Sequence, residues 1–279
     1  MSDNVNIVNS TIFMYVFIDD ILKSIGHKSD SRCQCTDSEI LTTSLIASSY
    51  FGSNYSHAIG FVKHSGLMPC MIDESRFNRR LHRLADLVAD LFFQLGHVIK
   101  SMDENMTYRI DSFPVKSCHN IRIKRSKLFQ GKEFRGYNAS KREYFYGVKV
   151  FVITDSQNRP VEYTFTPGSI AEIDGLRQMP MQLPEKSTLY GDSGFTDYNH
   201  EEEMEQGENI DLKIARKSNS KKPHKPWWNY IIDCERKPIE TTFSQICACL
   251  PRKIHAVTQK GFLLKLVLAL FAHLIHKML

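Results

Sequence analysis

Three carboxylates in this chain stand where chemistry is done. Asp192 sits in "STLYGDSGF" (187–195), at the end of a strand-like run and between Gly191 and Gly194. Asp111 ends another strand-like run, "TYRIDSFPV", and Glu240 lies in the helix-like "CERKPIETTFSQICACL". Each has an ordinary reading by itself: turn-formers for the two aspartates, a solvated helix residue for the glutamate. Together they have another. If the strands of Asp111 and Asp192 pair in parallel, both acids leave the sheet at the same edge, and a glutamate on a covering helix can reach that spot. Crowded carboxylates raise one another's pKa unless a cation sits among them. Hard oxygen donors in an incomplete cage suit Mg²⁺ or Mn²⁺. Two such ions about 3.5–4 Å apart clamp the attacking and leaving oxygens of a phosphodiester. The glycines fit this reading, because they let the backbone turn sharply and leave room beside Asp192.

The other acids read as structure. Asp155, in "TDSQNRP", is a turn residue; Glu172 and Asp174 flank one helix start and Asp197 another, as caps. His119 follows Asp111 by eight residues and is a candidate ligand or phosphate contact. A lone histidine in a basic loop is more often plain surface.

Two basic clusters point to a polyanion. Between Lys116 and Lys149 there are ten Lys and Arg, among them Arg122, Lys124, Arg125, Lys127, Arg135, Lys141 and Arg142, against the acids Glu133 and Glu143. Phe129, Phe134, Tyr137, Tyr144, Phe145 and Tyr146 are interleaved with them. Cations mixed with aromatic rings suit a nucleic-acid backbone and unstacked bases. The second cluster, "KIARKSNSKKPHKPWW", has six Lys and Arg, including Lys221 and Lys222, and closes on Trp227 and Trp228. Its two prolines predict a loop, and its tryptophans are candidates to stack on a flipped base.

The elements that must position these groups follow from periodicity. Residues 1–102 read as helices. Thr36 stands three before Glu39, a capping box. Phe77, Leu81, Leu84, Val88, Leu91 and Leu95 recur at helical spacing, predicting one long amphipathic helix whose first half carries Arg76, Arg79, Arg80 and Arg83. From about residue 107 the pattern changes to strands: a first ending at Pro114, a second over 144–154, a third over 160–168, then a helical segment near 170–182. "STLYGD" is the fourth strand, "DYNHEEEMEQ" an acidic helix, "IDLKIA" the fifth strand, and two helices close the chain. The order β-β-β-α-β-α-β-α-α is an α/β arrangement, a meander followed by crossovers.

Bulk properties agree. The chain has 279 residues, room for one large domain or two modest ones, and its net charge of +5 favours a polyanion partner. The seven cysteines are odd in number and form no CxxC ladder, against a disulfide framework or a zinc ribbon. The pairs Cys33/Cys35 and Cys247/Cys249 read as reduced thiols. No signal peptide is expected at the N-terminus. The apolar run "GFLLKLVLALFAHLIHKML", broken by Lys265, His273, His276 and Lys277, reads as a buried helix rather than a membrane span.

The blocks "RIDSFPV…CHNIRIKRSKLFQGKEFRGYNASKREYFYGVKV", "LYGDSGF" and "ERKPIETTFSQI" resemble bacterial insertion-sequence transposases of the DDE superfamily over about residues 105–260. The resemblance implies an RNase H-like mixed sheet flanked by helices, preceded by an all-α region over 1–102 for DNA binding or dimerisation. It implies a catalytic domain over 103–279 with a basic insertion loop near 216–230. It also implies that Asp111, Asp192 and Glu240 are the metal-binding triad, holding two Mg²⁺ or Mn²⁺ ions, and that the partners are element ends, target DNA and a second copy of the chain. A cytoplasmic, nucleoid-associated protein is expected. The family signature around the glutamate is Tyr, two residues, Arg, three residues, Glu, six residues, Lys. Arg236 and Glu240 match it, whereas Asp233 stands at the Tyr position and Cys247 at the Lys position; Lys237 and Lys253 are the nearest candidates to replace that lysine. The alternatives are a simple RNase H-like nuclease and a DNA-binding protein that has lost catalysis.

Overall fold

A computed structural model describes residues 2–139 and 141–278, with side chains from residue 6 onward. The helices are α1 (Ser2–Ser24), α2 (Asp37–Tyr50), α3 (Tyr55–His64), α4 (Glu74–Arg83), α5 (Ala85–Ser101), α6 (Glu172–Leu176), α7 (Tyr198–Glu203), α8 (Pro226–Arg236), α9 (Pro238–Ala248) and α10 (Gln259–His276). The strands are β1 (Thr107–Cys118), β2 (Arg135–Asn138), β3 (Glu143–Thr154), β4 (Pro160–Pro167), β5 (Thr188–Gly191) and β6 (Asp211–Ile214). The chain packs as two units, Met1–Leu91 with Gln245–Leu279, and Phe92–Ser244.

In the first unit α2 is the central helix, buried without interruption from Ile40 to Ser48. The capping box of Thr36 and Glu39 starts it. Met14 and Ile18 of α1 and Phe77 and Leu81 of α4 supply the surrounding core, and α10 packs on α2. The length and composition of α10 would suit a membrane span, yet 72% of that window is buried inside the protein. Its start is held close to α4: a Cβ on Gly261 would lie 2.5 Å from His82 Cε1. The resemblance assigns this helix to the region 103–279; its packing partners belong to the N-terminal helices. The single amphipathic helix predicted from the period through Phe77 to Leu95 is two helices, α4 and α5. At Leu84 the amide is shared between the carbonyls of Arg80 and Leu81 and helical geometry lapses. The apolar period runs straight through that break, so periodicity alone does not report it.

The second unit is a six-stranded mixed sheet in the order β2-β3-β1-β5-β6, with β4 also on β3. Pairs β1–β3, β2–β3 and β3–β4 are antiparallel, and β1–β5 and β5–β6 are parallel. β3 is the hub, and its apolar, β-branched run makes Val150 to Ile153 fully buried. Helices flank the sheet, which is the RNase H-like arrangement the resemblance implies. From α5, the rings of Phe92 and Phe93 meet Tyr163 of β4 at 4.9 and 4.8 Å, and Lys100 forms a buried ion pair with Glu162.

Four details depart from the expected elements. β2 is an additional short strand inside the basic, aromatic stretch. β1 continues through Pro114 to Cys118; β5 pairs with β1 only as far as Arg109, so Pro114 lies on an open edge, where a strand tolerates proline. The segment before β5 is helical only over Glu172–Leu176. The basic loop ends at Lys225, because Pro226 is the first residue of α8 and its fixed φ suits that position. Trp227 and Trp228 therefore sit on a helix, and Pro238 opens a second helix, α9, directly after α8.

Candidate active site and nucleic-acid surface

β1 and β5 run parallel, with Thr107 beside Thr188, Tyr108 beside Leu189 and Arg109 beside Tyr190. The pairing stops there, two residues short of Asp111 and Asp192, and both acids leave at the same end of the paired strands, close enough for the Asp192 charge to act on Asp111. Each aspartate accepts from the amide that follows it: Ser112 N–H at 2.7 Å for Asp111 and Ser193 N–H at 2.6 Å for Asp192. Burial pushes the Asp111 carboxyl up to about 6. The Ser112 amide and Arg236 act against that rise; Asp192 and Glu172 add to it. The glycines do less for the substrate than their spacing suggests. Neither adopts left-handed backbone geometry, and a Cβ on Gly191 would lie 2.8 Å from Ile214 Cδ1 and 3.2 Å from Ile110 Cγ2. Gly191 is small because the strands on both sides of it need the space.

Glu240 comes from the first turn of α9 and its side chain is 63% exposed. Between it and Asp111 lies Arg236, whose Nη1 is 3.4 Å from Asp111 Oδ2 and 3.7 Å from Glu240 Oε1. The Arg236 Nε is buried with no hydrogen-bond partner. Among the described residues, no three His, Cys, Asp or Glu side chains group closely enough to hold a metal ion. Asp111 and Asp192 carry hard carboxylate oxygens, the donor type that divalent cations take; Glu240 stands behind the guanidinium.

Sequence reasoning missed three residues around this pair. Glu172 is not a cap but the first residue of α6, and the cap position is Ala171. Its Oε2 accepts from Ser112 Oγ at 2.7 Å and its Oε1 from Lys149 Nζ at 2.8 Å, so it braces the residue beside Asp111. Arg109 is buried in β1, donates to the Glu235 and Asp155 carbonyls and reaches the Glu235 carboxylate at 3.2 Å. It thereby ties the end of α8, and with it Arg236, to the sheet. A charged residue inside an apolar strand was the available signal for Arg109 and for Lys149; Glu172 had none. Asp155 and Asp197 serve the turn and the cap that their positions suggest. At about 3.3 Å per strand residue, exposed His119 lies roughly 25 Å along β1 from Asp111.

The first basic cluster is a solvated surface. Arg122, Lys124, Arg125, Lys127, Arg135, Lys141 and Arg142 are all exposed. None of their side chains is in an ion pair among the described residues. Its aromatics divide: Phe129, Phe145 and Tyr146 are buried, whereas Tyr137 and Tyr144 face outward with ring centroids 5.0 Å apart. These two rings, Arg135 and Lys149 border a hollow of about 740 Å³. The second cluster is partly neutralised by the acidic helix α7. Lys222 pairs with Glu202 and Arg216 with Glu201, and Lys213 covers the Trp228 ring. Lys221 is exposed and Trp227 is 59% exposed. On α8, exposed Tyr230 lies one turn before Asp233, on the same helical face.

Residues 101–254 match a family model described as a transposase DDE domain. No curated protein and no solved structure matches the chain.

Proposed function

The chain belongs to the transposase DDE-domain family, and from that premise we propose that it cleaves phosphodiesters at insertion-sequence ends and joins the freed 3′-hydroxyl to target DNA. The observation that carries this reading is the parallel register of β1 and β5, which brings Asp111 and Asp192 to one sheet edge. These two residues, completed by Glu240, would hold Mg²⁺ or Mn²⁺, with two ions expected. Such ions polarise the phosphoryl oxygen and activate the attacking hydroxyl. Asp111, with its carboxyl pushed up to about 6, is mostly ionised at neutral pH and ready to receive a cation. Glu172 and Lys149 hold the Ser112 segment, and the amides of Ser112 and Ser193 fix one oxygen of each aspartate; the second oxygen of Asp111 faces Arg236 Nη1. For Glu240 to join them, Arg236 must swing aside, which frees its guanidinium for a substrate phosphate.

The exposed cluster over Arg122 to Arg142 would carry the DNA backbone, with Lys221, Lys222, Trp227 and Trp228 as a second contact. Tyr230 stands in for the tyrosine missing at Asp233. Two copies of the chain would hold the two ends, and the helices of residues 1–102 would bind DNA or the second copy. A second reading, a DNA-binding protein without catalysis, draws on the guanidinium that separates Asp111 from Glu240.

The test is Mg²⁺- or Mn²⁺-dependent cleavage of DNA carrying the element's own ends, followed by joining of labelled ends to a plasmid. Cleavage and joining that vanish in Asp192→Ala are expected. Cleavage without joining would leave a simple nuclease. Binding without cleavage in the natural protein would favour the non-catalytic reading.

A further inference from the structure

Tyr198, which the reaction above does not use, stands where two parts of the second unit join. It opens α7, six residues after Asp192. The chain between them is stiff. Asp192 caps a short 3-10 turn over Ser193–Phe195, and the Phe195 amide returns to the Asp192 carbonyl at 2.9 Å. Phe195 is buried, with its ring against Phe151. Thr196 Oγ1 donates to the Ser193 carbonyl at 2.9 Å. Asp197 caps α7 through the Asn199 and His200 amides and accepts from Arg177 at the end of α6. Tyr198 is therefore held at a fixed offset from Asp192.

On its other side Tyr198 grips the basic loop between β6 and α8. Its hydroxyl hydrogen-bonds with Ser220 Oγ at 2.5 Å and accepts from the Lys222 amide at 3.2 Å. Its ring carries two cations, the Arg216 guanidinium at 4.9 Å and Lys222 Nζ at 5.1 Å from the centroid. Those cations are held in turn by Glu201 and Glu202 of α7. The Ser220 bond above all, with the Lys222 amide and the Arg216 charge, holds the Tyr198 phenol below its usual value. Asn229 of α8 exchanges hydrogen bonds with the Arg216 backbone, at 3.2 Å to the amide and 3.4 Å to the carbonyl. Lys217 and Lys221 stay outside this clasp, both exposed and neither in an ion pair among the described residues.

We propose that Tyr198 is a positioning residue, a latch that fixes the lysine-rich loop to the segment after Asp192 and so sets Lys217 and Lys221 at a constant place relative to the carboxylate pair. A substrate phosphate held by a tethered loop arrives aligned with the reacting centre. One held by a free loop arrives over a spread of positions, which lowers turnover while leaving binding nearly intact. The positioning role rests on the transposase reading; the latch itself does not.

Limited trypsin digestion of the full-length protein reads the latch as the rate of cleavage after Lys217, resolved by mass spectrometry, with exposed Lys127 as the internal control. Tyr198→Phe removes the hydroxyl and keeps the ring; Ser220→Ala removes its partner on the loop. Each is expected to speed cleavage after Lys217 about fivefold, the scale of one hydrogen bond, and the double variant no further, because both remove the same contact. Cleavage after Lys127 is expected to stay the same. With Mg²⁺ and DNA carrying the element's ends, kcat is expected to fall several-fold in each single variant and no more in the double, with KM for DNA within about twofold. Tryptic rates that do not change, or that multiply in the double variant, overturn the latch. A loosened loop with the natural kcat overturns the positioning role. Absence of end cleavage by the natural protein overturns the transposase reading and the positioning role with it, while the tryptic rates still decide the latch.

Discussion

Arg236 Nη1 stands 3.4 Å from Asp111 Oδ2, so a cation from the end of α8 faces the carboxylate at the sheet edge. The two residues are 125 positions apart in the chain. Removing that cation while keeping the side chain's bulk, as in Arg236→Gln, withdraws an interaction that favours ionised Asp111. Its titration midpoint in metal-free protein, read from the carboxyl ¹³C shift, is expected to move above about 6. An unmoved midpoint would show that the guanidinium does not face Asp111 in solution.

Asp111 itself makes stability depend on pH. Its folded pKa of about 6 lies above the roughly 3.9 of an unfolded aspartate. The folded state therefore holds the proton more tightly, and this stabilisation is full below about pH 4 and lost as pH rises through about 6. Ionised Asp111 then costs on the order of 2–3 kcal/mol at pH 7.5 without metal. Asp111→Asn cannot ionise. Metal-free denaturant melts should show the variant more stable at pH 7.5, by up to that amount, and equal to the natural protein at pH 4, with cleavage abolished. Equal midpoints at both pH values would contradict the buried carboxylate.

Glu172 is expected to matter more than a helix cap would. Glu172→Ala leaves Ser112 Oγ without its acceptor and half-buried Lys149 without its carboxylate. A loss of about 1–3 kcal/mol in urea is expected, with cleavage at least tenfold slower. Glu172→Gln keeps an acceptor for Ser112 and should lose less of both. Identical losses in the two variants would mean that the Ser112 contact is idle.

Two glycines should differ in cost. A Cβ on Gly96 would lie 2.3 Å from the Val161 backbone oxygen, whereas on Gly191 it meets the movable tip of Ile214 at 2.8 Å. Thermal melts should show Gly96→Ala destabilised by about 3 kcal/mol or more and Gly191→Ala by about 1 kcal/mol. The reverse order would mean that α5 does not pack closely on β4.

Much of the architecture was legible because it is locally encoded. The Thr36–Glu39 box, the strand-like run that holds Asp111, the apolar run of β3 and the turn at Asp155 depend on neighbours within a few positions. Pro226 shows the limit of local rules: two prolines in a basic stretch predict a loop, yet a proline at the first position of a helix is at home there. Leu84 shows it again, since an unbroken apolar period continues across a broken helix.

The sequence by itself determined which residues can do chemistry, Asp111 and Asp192 at the ends of strand-like runs and Glu240 on a helix, because residue type and local period are short-range properties. The tertiary structure alone decided which groups meet. The parallel pairing of β1 and β5 carried Asp111 and Asp192 toward one sheet edge, helix placement put Arg236 in front of Glu240, and the segment after β4 delivered Glu172 to Ser112 and to Lys149 of β3. It also decided which charges stay free, since α7 neutralises Arg216 and Lys222 while the cluster from Arg122 to Arg142 remains exposed. These contacts join residues far apart in the chain, and no local pattern carries the long-range packing that selects them.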